Sequence, residues 1–219
     1  MTKYATPDET FPHDVKDHVL EIVRDDGIHR HLRCRGGSYN WFEVVTWPGT
    51  LVVSGDHGSF VFRRLDDMFE FFRTGIHGDE LLPNIGYWEE KCVSHSRKQL
   101  RHYAPEVFES EILRMTLERR PRMGSGTPQE FSQAMRRYSE AVIDTLRNET
   151  WLVMEDEGEA IRSLQDVSFG GDPVFDDLWE CDFTEWDYHF VWCLHAILWA
   201  IRAYDAARNS VGESAEAAE

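Results

Sequence analysis

The stretch WFEVVTWPGTLVVSGDHGSFVFRR, Trp41 to Arg64, decides the fold. Trp41 to Trp47 is dense in β-branched and aromatic residues, the composition of a strand. Trp47-Pro48-Gly49-Thr50 then puts proline and glycine at the second and third positions of a turn. Proline presets φ there, and glycine accepts the positive φ of a type II turn. Leu51 to Ser54 and Ser59 to Arg63 read as two further strands. Between them the chain reverses over Gly55-Asp56-His57-Gly58, where the glycines supply positive φ and Asp56 bonds its own backbone. An aspartate beside a histidine also suits a catalytic or metal-binding loop. No ligand set lies near it in sequence, so His57 reads as a solvent-facing tip.

Upstream, Ile28 to Arg35 alternates, with Ile28, Leu32 and Cys34 on one face and His29, His31, Arg33 and Arg35 on the other. The sum is an antiparallel meander of three or four strands. Residues 1–15 are polar and carry Pro7 and Pro12, which reads as a loose arm. Downstream the period changes. Leu65, Met68, Phe69 and Phe72 fall on one helical face, and Tyr87 to Val93 continues as a short helix. Pro105 to Arg120 turns Phe108, Ile112 and Met115 to one side and stops at Pro121. Thr127-Pro128-Gln129-Glu130 is a capping box, and its helix carries Phe131, Met135, Tyr138, Val142 and Leu146 inward. The helical pattern runs on through Trp151 to Leu164. Phe190 to Tyr204, FVWCLHAILWAIRAY, is apolar almost all round, as a central buried helix is.

Strands first and helices after define an α+β class rather than alternating α/β. The expected organisation is a loose arm over 1–15, one domain over 16–208 (β-rich 28–63, helical 65–208) and a disordered acidic tail over 209–219. A chain of 219 residues with 42% hydrophobic residues builds a real core. Cys34, Cys92, Cys181 and Cys193 stand far apart with no C-x-x-C pair, which fits a reducing cytoplasm. No N-terminal signal pattern is present, and the apolar run Phe190 to Ile201 is too short to span a bilayer. The expectation is a cytoplasmic protein.

The net charge is −17, of which −13 falls in residues 151–219. Such a surface repels nucleic acid and anionic membrane and favours basic protein partners. Phosphate-loop, dinucleotide, nucleophile-elbow, H-E-x-x-H and zinc-deaminase patterns are absent from the sequence, so no cofactor is implied. Two metal candidates fail on inspection. His29 and His31 share a strand face with Arg33 and Arg35, which repel a cation; that face suits a phosphate-bearing nucleotide instead. Glu185, His189 and Cys193 are spaced i, i+4, i+8 but enter the most hydrophobic helix, where a buried Cys and a bonded His are the commoner outcome.

Between Glu155 and Asp187 lie twelve carboxylates against Arg162 alone, with Phe169, Phe175, Trp179, Phe183 and Trp186 threaded among them. Aromatic anchors among charges suit a protein interface, and a row of carboxylates imitates a line of phosphates. The candidate partner-binding residues are Asp172, Asp176, Asp177, Trp179, Glu180, Asp182, Glu185, Trp186 and Asp187.

The segments WFEVVTWPGTLVVSGDHGSFVFRRLDDMFEFFR, GYWEEK and WDYHFVWCLHAILWAIRAYDAA resemble a family of uncharacterised accessory proteins of tailed bacteriophages and prophages, with its W-P-G, G-D-x-G and M-F-E-F-F pattern. The resemblance covers residues 28–95 well and the last helix moderately. In that family the position of His57 is commonly a non-ligand residue. The resemblance implies a protein of a bacterial host cell that binds and blocks a host complex, a basic, nucleic-acid-handling defence complex, without turnover. The rival is a small-ligand or nucleotide-binding protein, or an enzyme of unfamiliar type, using His29, His31, Arg33 and Arg35. A scaffold or homodimerisation role is a third reading.

Overall fold

The structure, a computed structural model, describes residues 5–122, 124, 126–144, 146 and 156–216, with side chains to residue 210. Two compact units share the chain, where the sequence leads one to expect a single domain over 16–208: a sheet unit, Lys3–Leu100 with Trp186–Glu219, and a helical unit, Arg101–Glu185.

The sheet unit opens with α1 (Pro7–Asp14), followed by β1 (Val19–Asp26), β2 (His29–Arg35), β3 (Phe42–Trp47), β4 (Thr50–Gly55) and β5 (Gly58–Arg63). After α2 (Met68–Arg73), the short hairpin β6 (Ile76–His77) and β7 (Glu80–Leu81), and α3 (Ile85–Glu89), the edge strand β8 (Cys92–His95) completes the sheet. The strand order is β1-β2-β3-β4-β5-β8, antiparallel at every junction. The chain returns at its C-terminus as α7 (Tyr188–Glu216), and the meander packs against it. The α+β class is therefore as the sequence leads one to expect.

Alternation explains which face is covered. Leu32, Cys34, Phe42, Val44, Leu51, Val53, Phe60 and Phe62 point inward and are almost wholly buried. Phe190, Leu194, Ile197, Leu198 and Ile201 of α7 join the same core. Each such side chain contributes roughly 1.5–3 kcal/mol by leaving water. Arg30 also points inward, only 8% exposed. Its guanidinium grips Asp67 through two bonds of 2.8 and 2.9 Å and lies 4.4 Å from the centre of the Phe69 ring.

Four segments depart from the sequence reading. Residues 7–14 are a helix rather than part of a loose arm: Thr6 and Glu9 form a capping box, Pro7 occupies the first turn, and Phe11 and Val15 are buried. Strand β1 is an edge strand, exposed along nearly all its length, so it carries no alternation to read. The predicted helix over Tyr87 to Val93 is instead α3 followed by strand β8. The C-terminal backbone, expected to be a disordered tail, stays helical to Glu216.

The tip between β4 and β5 uses its glycines differently from each other. Gly58 takes φ +108, as a turn requires. Gly55 does not have positive φ; a Cβ there would stand 2.2 Å from the Trp41 carbonyl oxygen, so close backbone approach excludes a side chain. Gly49 has φ +75, consistent with the Pro-Gly turn.

The helical unit contains β9 (Arg101–Tyr103), α4 (Pro105–Arg119), α5 (Pro128–Tyr138) with a π-helical turn over Ser139–Ile143, and α6 (Glu157–Leu164). Then come the two-residue strands β10 (Ser168–Phe169) and β11 (Asp172–Pro173), a 3-10 turn over Leu178–Glu180, and β12 (Thr184–Trp186), whose last residue already belongs to the sheet unit. Phe108, Ile112, Tyr138, Val142, Ile161 and Phe183 form its core. The Thr127–Glu130 capping box is present. The part of the expected 151–164 helix before residue 156 lies outside the described residues; Glu157–Leu164 is helical.

Candidate functional site

The acidic segment of the helical unit folds as a chain of tight turns, which sorts its aromatics. Phe175 and Phe183 are buried, and Phe183 meets Phe108 edge-on at 4.8 Å between ring centres. Trp179 goes the other way: in the 3-10 turn it stands 59% exposed. Asp177, ahead of that turn, holds φ +60, a left-handed conformation that aspartate tolerates better than most residues. Asp172, Asp177 and Glu180 are exposed. Asp176 is half-exposed and pairs with Arg119.

The remaining acids are partly committed. Asp182 accepts hydrogen bonds from the Thr184 hydroxyl at 2.6 Å, the Thr184 amide at 3.0 Å and Arg101 at 2.7 Å. The Thr184 side chain, then its amide, hold the Asp182 carboxyl below its ordinary pKa. Glu185 lies 3.8 Å from His102.

Trp186 and Asp187 belong to the sheet unit. Trp186 is half-buried, 6.1 Å from the Phe190 ring. Asp187 is 9% exposed and fully engaged: one oxygen accepts from the Phe190 amide at 3.0 Å, capping α7, and the other takes Arg97 at 3.0 Å. The structure therefore places Asp187 inside the sheet unit, capping α7 and paired with Arg97, rather than at an exposed surface.

On the outer face of β2 the basic side chains find carboxylates within the sheet. Arg33 donates to Glu43 at 2.7 Å and to Glu21 at 3.2 Å, and His31 lies 3.0 Å from Glu43. Arg33's hydrogen bond, above all, holds the Glu43 carboxyl below its ordinary pKa. His29 and Arg35 complete the face, with Arg35 exposed. Two of the four groups meant for an anion thus already have a carboxylate partner within the sheet, 10 to 12 positions away.

His57 is the largest departure from the sequence reading. It does not face solvent but lies half-buried, stacked on Trp192 with ring centres 3.9 Å apart and planes at 18°. Its Nε2 is 3.0 Å from the Asn40 side-chain oxygen, which can only accept, so Nε2 carries the proton. Nδ1 is then the acceptor in the 2.9 Å contact with His189 Nδ1, and His189 is the donor. Burial, and next the nearby His189 ring, push the His57 pKa down to about 4. Burial also lowers that of His189. A separation of 132 residues between the two histidines left no local signal of this pair.

The Glu185–His189–Cys193 series is not one helical face, because α7 begins at Tyr188 and Glu185 lies on β12. Among the described residues no group of three or more His, Cys, Asp or Glu side chains is placed to hold a metal ion. Among them, too, no helix is long and apolar enough to cross a membrane.

Fold and surface together define an α+β protein with an exposed tryptophan, Trp179, in an acidic turn region. Comparison with protein-family models, curated proteins and solved structures finds no match.

Proposed function

We propose that this is a non-enzymatic binding protein of the phage-accessory type, which occludes a basic surface on a host nucleic-acid-handling complex. The observation that carries the reading is Trp179: 59% exposed in a segment whose phenylalanines at 175 and 183 are buried. A large aromatic left in water beside Asp172, Asp177 and Glu180 has the composition of an interface anchor within an electrostatic rim. The carboxylates steer a basic partner and exclude nucleic acid, while tryptophan supplies the buried contact. The outer face of β2 supports the nucleotide-binding alternative less well, since Glu43 and Glu21 already occupy His31 and Arg33.

Affinity capture from nuclease-treated lysate of the bacterial host, with the purified protein as bait, tests this. The wild type should retain one complex of nucleic-acid-handling subunits and release it as salt rises. Trp179→Ala should weaken capture at least about thirtyfold, the loss of a 2 kcal/mol hot spot. Asp172→Lys with Glu180→Lys should abolish it. Undiminished capture by both variants, or capture insensitive to salt, refutes the reading.

A further inference from the structure

We propose that the sheet unit carries a separate small-molecule site, a cleft between α1, the β6–β7 hairpin and α7 that takes a small organic cation: an ammonium or amidinium group on a flat apolar body. The cleft measures about 510 Å³. That lies within the roughly 300–1,000 Å³ typical of ligand pockets.

Its interior is built rather than incidental. Phe11 and Val15 of the α1 region, both buried, and Trp199 of α7 supply an apolar and aromatic lining. His195 lines the same cleft while only 4% exposed, and its ring stacks with Phe11 at 5.5 Å. The His195 Nε2 donates to Asp8 at 3.0 Å, and because a carboxylate only accepts, this fixes the tautomer. Nδ1 is left as a bare acceptor with no partner among the described residues. That lone pair can accept a ligand N–H. Burial lowers the His195 pKa, so the ring stays neutral at pH 7 and the Asp8 charge beside it is not cancelled.

Charge selects the sign of the ligand. The lining holds three carboxylates, Asp8, Asp79 and Glu80, against Lys16 and Arg202. Among the described residues none of these carboxylates pairs with a lysine or arginine, and Arg202 spends a donor on the Asp79 backbone carbonyl at 2.7 Å. The field of a protein carrying −17 concentrates cations and repels anions. Trp199 adds an aromatic surface for the cation. An anionic ligand would have to overcome all of these terms.

Benzamidine, benzamide and benzoate share one ring and differ only in charge, so titrating each into the full-length protein tests the proposal. Tryptophan fluorescence and imidazole NMR signals report binding. Benzamidine should saturate with a Kd near or below about 1 mM, at least about tenfold tighter than benzamide, with benzoate weakest. Asp79→Asn with Glu80→Gln should weaken benzamidine about tenfold while leaving the unfolding midpoint unchanged. Arg202→Gln should tighten it, an effect that mere damage to the fold cannot mimic. Failure of benzamidine to saturate, equal or stronger binding of benzoate, or indifference to these substitutions would overturn the assignment. Because the cleft and Trp179 lie in different units, neither result bears on the partner-binding reading.

Discussion

Asp67→Ala is the sharpest probe of how the sheet unit is held together. One Asp67 oxygen accepts from Arg30 at 2.8 Å and from the Phe69 amide at 2.9 Å, capping α2, while the other takes Arg30 at 2.9 Å. Arg30 is 8% exposed and faces Phe69 and Tyr204, so the substitution strands a guanidinium among aromatic rings. Breaking a buried pair costs about 3–5 kcal/mol, and partial exposure of Asp67 argues for the lower end. Loss of the helix cap adds about 1 kcal/mol. Equilibrium urea unfolding should therefore show a loss of about 3–4 kcal/mol. Adding Arg30→Met should recover part of it, because the stranded charge goes with the arginine. Burial opposes ionisation of Asp67, but Arg30 and the Phe69 amide outweigh it and hold its pKa below the ordinary value. Its contribution is present above the unfolded carboxylate pKa and is lost as pH falls towards the folded one. A cost under about 1 kcal/mol for Asp67→Ala, or strict additivity in the double variant, would refute the reasoning.

Three further outcomes follow. Phe11→Ala should cost about 3 kcal/mol or more and raise amide exchange across α1, because the ring packs on Trp192 at 5.1 Å; unchanged exchange there would show that α1 is not docked. Gly55→Ala should lower the unfolding midpoint although Gly55 does not have positive φ, because its Cβ would collide with the Trp41 carbonyl; a neutral effect would contradict the close approach. His57, with a pKa near 4 against about 6.5 unfolded, binds protons more weakly in the native state. Stability should therefore fall as pH drops from about 6.5 towards 4, less steeply in His57→Gln, and a His57 imidazole titrating above about 6 by NMR would dismiss the buried pair.

What the sequence disclosed was whatever is written locally. The Pro48-Gly49 turn, the alternation of β2 to β5 and the all-round apolarity of Phe190 to Tyr204 each follow from neighbours in the chain, and each is found. Edge strand β1 escaped because its exposed faces leave no hydrophobic period. Helix α1 escaped because Pro7 and Pro12 read as breakers, although proline in a first turn is compatible with a helix. The charged groups of β2 looked free because Glu43 approaches across the sheet, and His57 looked solvent-facing because its partners Asn40, His189 and Trp192 come from distant positions. Within the acidic segment, the sequence could not say that Trp179 turns out while Asp187 turns in.

The central claim is that the Trp179-bearing acidic turns of the helical unit are the partner-binding face. Hydrogen exchange of the protein alone and with its captured partner measures this directly. The account predicts added protection concentrated in residues 172–182, around Trp179, and lost on raising the salt. Protection confined to the outer face of the sheet, with residues 172–182 unchanged, would contradict it.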